Sequence, residues 1–376
     1  MKVIAFYLPQ FHTIPENDEW WGEGFTEWIN VKKAKPLFEG HNQPRIPLHK
    51  NYYNLLDQKT LHWQVDLANT YGVYGFCMYH YWFHGHKLLE KPVENFLKDR
   101  TLRTHFCICW ANENWTNAWV SGERKVLIEQ DYGEKEDWEN HFYYLLPFFQ
   151  DDRYIKEKNK PFMIILRPDI IECCQDMFSC WDMLAKKNGF DGMIFASQYP
   201  GAERVDEYLT YNIEYQPNHA YRWAKNSFYL FAQRQKDKLM NRLNELFHTH
   251  FFSTVYFEPK MEKRNYDVLW NAILSHKPSS DKCIPGAFID WDNTARRGER
   301  GSVCIGVSPE KFRNYLDKLL VKAKREYKTD YLFIFSWNEW AEGGYLEPDE
   351  KYGYKYLEIV RDVLLKNKEL PSTIDV

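Results

Sequence analysis

Short runs rich in Val, Ile, Phe, Tyr and Cys recur along the chain, and longer segments between most of them repeat their apolar positions at helical spacing. The runs are Val3 to Leu8, Tyr74 to His80, Phe106 to Trp110, Phe162 to Arg167, Met193 to Gln198, Tyr211 to Tyr215, Pro285 to Asp290 and Tyr331 to Trp337. Asp57 to Tyr71, Leu88 to Lys98, Lys135 to Phe149, Cys173 to Lys187, a stretch within Ala224 to His248, Pro309 to Lys324 and Tyr354 to Lys366 read as helices. The runs are apolar on both faces, as parallel strands covered by helices must be. Eight strands alternating with helices predict an α/β chain closed into a (β/α)8 TIM barrel. The rival, an open doubly wound sheet, normally carries a Gly-rich phosphate turn after an early strand, and the sequence has none. Ser253 to Phe257 could add a strand of its own. Without an internal repeat, a low-complexity tract or a Pro/Ser linker, residues 1–376 read as one domain with two long insertions. These are Pro9 to Asn51 after the first strand and Pro217 to Pro259 after the sixth.

A formal net charge of −4 excludes a cationic surface built to neutralise phosphates, so nucleic acid is not an expected partner. Lys and Arg between Gln233 and Arg242 read as the wet face of a helix. Eight Cys occur without a C-x-x-C pair, which argues for buried, reduced thiols rather than zinc or redox chemistry. The start, MKVIAFYLPQF, is too short in its apolar run for a signal peptide and reads as the first strand. No stretch approaches a membrane span, and cytoplasmic residence is the expectation. The unusual figure is the aromatic share of 18%, more than a core needs, which places some rings against a ligand.

Barrels of this kind carry their active sites at the C-terminal ends of the strands. The first strand brings Tyr7, Gln10 and His12 there, the second His80, Tyr81 and Trp82, the third Trp110, Asn112, Glu113, Asn114 and Trp115. The fourth brings Arg167 and Asp169, the fifth Gln198, the sixth Glu214, and the seventh Asp290, Asp292 and Asn293. The eighth brings Trp337, Asn338, Glu339, Trp340, Glu342 and Tyr345, and Trp28 joins from the first insertion. Carboxylates and amides that hydrogen-bond hydroxyls, beside rings that stack on sugar C–H faces, suit a carbohydrate.

Cleavage of a glycosidic bond needs two carboxyl groups in opposite protonation states. Glu339 and Glu342, three residues apart after the last strand and followed by Gly343 and Gly344, are the candidate catalytic pair. An acidic pair on a loop is otherwise commonly solvated or bound to a lysine. His80, His84 and His86 could hold a metal, although hydrogen-bonded structure or substrate contact is the commoner use of such a group, and no metal or other cofactor is expected. Asp290 and Asp292 could pair with Arg296 and Arg297 or bind substrate, and the run Trp20 to Trp28 could be a lid or a hydrophobic plug.

FYLPQFHTIPENDEWWGEGFTEW, GFCMYHYWF, CWANENWT, IDWDNTARR and SWNEWAEGGYLEPD together resemble the WbsX-type family of bacterial surface-polysaccharide biosynthesis proteins, also called the glycoside hydrolase family 99-like domain. The resemblance runs over essentially the whole chain. It implies a kinship with the family 99 endo-acting α-mannosidases, retaining, metal-independent barrels in which an N-E-W-x-E segment carries both catalytic acids. Glu339 and Glu342 match those positions. By that likeness Glu339 would draw the proton from the sugar 2-hydroxyl so that its oxygen attacks C1, and Glu342 would protonate the leaving oxygen. Such roles require Glu342 to have a raised pKa while Glu339 stays ionised. The mannosidases carry His between the acids and Thr-Gln after the Gly, where this chain has Ala341 and Gly344-Tyr345, so mannose specificity does not carry over. The resemblance also leaves a glycosyltransferase using an activated sugar donor, and a non-catalytic glycan-binding protein, as rival readings.

Overall fold

The computed structural model describes residues 1–116, 125–199, 202–224 and 261–371. The candidate helix within Ala224 to His248, the strand Ser253 to Phe257, the basic stretch Gln233 to Arg242 and most of the second insertion lie outside these residues.

Nine short parallel strands form the central sheet: β1 (Lys2–Tyr7), β2 (Gly75–Phe83), β3 (His105–Trp110), β4 (Lys160–Ile165), β5 (Ile194–Ser197), β6 (Tyr211–Ile213), β7 (Cys283–Ile284), β8 (Gly286–Phe288) and β9 (Tyr331–Phe335). Each of the eight expected runs overlaps one, except that the seventh region is broken at Pro285. Its first piece, β7, pairs with β6 through Asn212↔Cys283, and its second, β8, pairs with β9 through Gly286↔Phe333. A proline has no N–H for a ladder, so the break falls where one bond must be lost. The rest of the ring runs β6-β5-β4-β3-β2-β1-β9 in unbroken parallel register, which makes a TIM barrel closed but for that gap.

The strands are buried on both faces: all nine residues of β2 and all five of β9 are buried, because one face fills the barrel and the other packs on helices. At Gly75 a side chain would collide with the His105 carbonyl of β3, so only glycine lets the two strands approach there. The outer helices are α3 (Gln58–Tyr71), α4 (Lys91–Lys98), α5 (Lys135–Gln150), α6 (Cys174–Lys187), α8 (Tyr266–Ser275), α10 (Pro309–Lys322) and α11 (Lys355–Lys366), with α7 (Asn218–Ala224) after β6. Local chemistry sets their ends. Asp57 caps α3 by accepting from the Lys59 amide, and Ser308 caps α10, which has Pro309 at its first position. Helix α4 starts three residues later than expected because Leu88 pairs with Tyr81 in a hairpin that extends β2.

The first insertion is more ordered than a loop: it contains α1 (Pro15–Trp21) and α2 (Glu27–Lys33). A four-residue helix, α9 (Thr294–Arg297), follows β8. All eight cysteines are free thiols and seven are buried, as their apolar settings predicted. Among the described residues no helix is long and apolar enough to cross a membrane.

Candidate active site

Beyond β9 the chain is held by its own polar groups. Asn338 clamps the end of β1, accepting from the Leu8 amide at 2.7 Å and donating to the Leu8 carbonyl at 3.0 Å. The Ser336 hydroxyl donates to the Gly344 carbonyl and accepts from the Glu339 amide. Trp340 stacks on Tyr345 and donates its indole N–H to Glu347. Gly343 closes the tight turn with φ +69°, and a side chain on Gly344 would strike the Phe335 ring. The two glycines that follow the acids are thus demanded by the turn that aims Glu339 and Glu342.

Both acids open onto one cavity of about 640 Å³ at the C-terminal ends of the strands. Glu339 is 6% exposed and Glu342 9%. Arg296, on α9, joins them: its Nη1 donates to Glu342 at 2.8 Å, its Nη2 to Glu339 at 3.4 Å, and its Nε to Glu27 of α2 at 3.2 Å. Three carboxylates therefore share one guanidinium in a dry place. Burial raises the pKa of both acids: Glu339 is pushed up to about 8, with the Glu342 and Glu27 charges adding to desolvation and Arg296 opposing it. Glu342 is raised by burial as well, opposed first by Arg296. This differs from the expected division, in which only Glu342 was raised. The shorter Arg296 bond goes to Glu342, which favours ionisation there over Glu339.

Aromatic faces and amides complete the wall. Trp21 and Phe25 arrive from the first insertion, Tyr79 and Tyr81 from β2, and Trp115, Tyr199, Tyr215 and Trp291 from later strand ends. Gln10 donates to the Tyr81 hydroxyl at 2.9 Å, and Gln198 donates to the Tyr79 hydroxyl at 3.1 Å. Arg264 and Arg297 also line the cavity.

Of the candidate residues, the cavity brings together Gln10, Tyr81, Glu113, Trp115, Gln198, Glu339 and Glu342, with Asn114 and Asn293 beside them. Others stand behind it. Tyr7 donates to Gln64, Trp28 donates to the Tyr53 carbonyl, and Trp110 donates to the Trp82 carbonyl. His80 meets His141 of α5 at 2.9 Å, on which Trp82 also stacks. Asn112 bonds the Arg167 backbone in both directions, and the Arg167 side chain binds Asp169 and Glu113. Trp337, Asn338, Trp340 and Tyr345 are buried supports of the acid turn. Asp290 and Asp292 do not pair with Arg296 and Arg297: Asp290 meets Arg45 at 2.7 Å, and Asp292 accepts from Gln43 at 2.7 Å and meets His41 Nε2 at 2.9 Å. Asp292 is held down at about 2, because the bonds from His41 and Thr294 and the Arg45 charge overcome its desolvation. The three histidines of the second strand end do not gather: His80 is bonded to His141, while His84 and His86 lie near Asp131 and Glu16. Among the described residues no group of three or more His, Cys, Asp and Glu could hold a metal.

Sequence reasoning gave no site role to Glu27, Tyr79, Tyr215 and Arg264, and saw Arg296 only as a salt-bridge partner. A signal existed for Tyr79, which shares a strand face with Tyr81 two residues on. The run Trp20 to Trp28 divides: Trp21 and Phe25 face the cavity, while Trp28 packs against Phe11 and Trp340.

A family model described as Glycosyltransferase WbsX matches residues 3–360. The uncharacterized protein WxcX of Xanthomonas campestris pv. campestris strain B100 is 33% identical over an alignment 380 residues long that covers 99% of this chain and 51% of the relative. Its counterpart in a second strain of that bacterium is 32% identical over 384 residues, with the same shares. The chain spans about half the length of the curated relatives it matches. Among solved structures, an endo-α-mannosidase of glycoside hydrolase family 99 from Bacteroides thetaiotaomicron superposes with a TM-score of 0.54 at 13% identity, covering 98% of both chains. The same enzyme with bis-tris propane gives 0.56 at 14%, again over 98% of each. These likenesses establish the barrel.

Proposed function

The chain belongs to the WbsX glycosyltransferase family, and from that premise we propose that it is a carbohydrate-active enzyme cleaving or transferring glycosidic linkages in a bacterial surface polysaccharide, with Glu339 and Glu342 as its catalytic acids. One observation carries the reading: two buried carboxyls from one turn open together onto an aromatic-walled cavity and share a single guanidinium. Three carboxylates around one cation retain a proton near neutral pH, so one acid is protonated while another is ionised.

In this reading the reaction retains configuration. Glu339 takes the proton of the sugar 2-hydroxyl as O2 attacks C1, and Glu342 gives its proton to the departing oxygen as the C1–O bond breaks. The resulting anhydro-sugar is opened by water or a sugar hydroxyl, whose proton Glu342 accepts while Glu339 returns its own to O2. Because the free cavity favours the proton on Glu339, substrate entry must shift it to Glu342 and draw Arg296 toward Glu339. Trp21, Trp115 and Tyr199 offer stacking faces for sugar rings, and Gln10 and Gln198 offer amides for hydroxyls.

A second reading, transfer from a phosphorylated sugar donor in the same cavity, draws support from the family's own description and from Arg264 and Arg297 on its wall. One experiment separates them. The protein is incubated with acidic and neutral bacterial glycans, with and without a nucleotide sugar and EDTA, beside Glu339→Gln and Glu342→Gln. Oligosaccharide release without a donor, indifferent to EDTA and lost in both variants, supports the first reading. Donor-dependent transfer supports the second, and binding without turnover by the wild type contradicts both.

A further inference from the structure

Glu27 sits at the first position of α2, 20 residues past the end of β1 and only 6% exposed, with its carboxylate turned into the acid cavity. An acid at a helix start is ordinary, and its usual use is to face the exposed amides there. Glu27 instead meets the Nε edge of Arg296 at 3.2 Å, with Asn30 of its own helix at 3.5 Å. The Arg296 side chain is 6% exposed and the Glu27 side chain 7%, so the contact lies out of water. A guanidinium held at Nε keeps its Nη1 and Nη2 for other partners, and here those reach Glu342 and Glu339.

We propose that Glu27 is a positioning residue for the acid pair: it fixes Arg296 by the Nε edge so that the two remaining nitrogens span Glu342 and Glu339. The first insertion thereby completes the active site. The proposal rests on the reading of Glu339 and Glu342 as the working acids. It also explains why that insertion carries a carboxylate where a neutral residue would fill the space. The Glu27 charge adds to burial and to the Glu342 charge in raising Glu339, against the pull of Arg296. The groups facing Glu339 come from every side: Glu27 from α2, Arg296 from α9, Glu342 from its own turn, Tyr79 and Tyr81 from β2, and Tyr215 after β6. Arg297 faces Glu342.

The test needs no substrate, so it stands apart from any failure to find turnover. Protein labelled with 13C at the glutamate carboxyls is titrated by NMR, the Glu339 signal being assigned by its loss in Glu339→Gln. Glu27→Gln is expected to lower the Glu339 midpoint by about one pH unit or more, and Arg296→Gln to raise it. Glu27→Asp, which keeps the charge, is expected to stay near the wild type. If Glu27→Gln lowers thermal stability but leaves the Glu339 midpoint in place, Glu27 only anchors α2 and the proposal is overturned. Should Glu27→Gln fail to fold, the Arg296 Nε–H signal decides: protection from exchange in the wild type that weakens in Glu27→Asp, whose shorter side chain holds Nε less closely, is required, and an Nε–H signal unchanged in Glu27→Asp overturns the proposal.

Discussion

Two buried carboxylate clusters lie side by side at the ends of the last barrel strands, and they are built in opposite ways. In one, Asp290 and Asp292 are met by Arg45, His41, Gln43 and Thr294; Asp292 is held at about 2, while burial raises Asp290 against the pull of Arg45. In the other, Glu27, Glu339 and Glu342 compete for Arg296, and Glu339 rises to about 8. The two are linked: the Asp292 amide donates to the Glu342 carbonyl at 2.7 Å, and Asp292 also accepts from Thr294 at the start of the helix that carries Arg296. Burial is common to both, so burial does not mark the reactive one. What differs is the ratio of donors and cations to carboxylates: Asp292 has four partners, whereas Glu27, Glu339 and Glu342 compete for Arg296, and a site so short of partners is where the proposed proton transfer would take place.

The sharpest way to break this contrast is by activity. Glu339→Gln and Glu342→Gln are each expected to lower turnover by about 10²- to 10⁴-fold, with unfolding midpoints in urea at or above the wild type because a like charge is removed. A variant that keeps its turnover would erase the distinction. Asp292→Ala is expected to do the reverse in kind, costing about 3–5 kcal/mol of stability by leaving buried partners unmatched, read from the same urea curves. Wild-type stability in that variant would mean the Asp292 contacts are idle.

A pH series separates the clusters by sign. Glu339 binds its proton more tightly folded than unfolded, so its contribution is full below its ordinary 4.5 and is lost as the pH rises toward 8. Asp292 contributes above its ordinary 3.8 and loses that as the pH falls toward 2. Glu339→Gln is therefore expected to flatten the decline of stability between those first two values, and Asp292→Asn the acid limb between the second two. Exchanged effects would contradict the assignment. The smallest effect concerns the wall of the cavity: Trp115→Ala is expected to raise KM about 3- to 10-fold with kcat little changed, the worth of one stacking face.

Much of this was legible in the chain. Strands apolar on both faces announced the barrel, and the acid pair with its glycines announced the turn. The break at Pro285 was readable in principle, since proline lacks the needed N–H, but the run Pro285 to Asp290 looks continuous on hydrophobicity alone. Strand-end residues were named without their facing: period two separates Tyr79 and Tyr81 from His80 and Trp82, yet only the packing of α5 tells which pair looks inward. Asp290 and Asp292 find Arg45 and His41 about 250 positions away, ahead of the arginines next to them, a choice set by how the first insertion lies against β8. The helices of that insertion, and with them Glu27, show no strong periodicity.

The most direct measurement of the central claim is a crystal structure of Glu339→Gln with a bound oligosaccharide. The account predicts one glycosidic oxygen within about 2.6–3.2 Å of Glu342 and the adjoining 2-hydroxyl equally near residue 339. A sugar seated elsewhere on the barrel, with both side chains out of reach of any linkage, would contradict it.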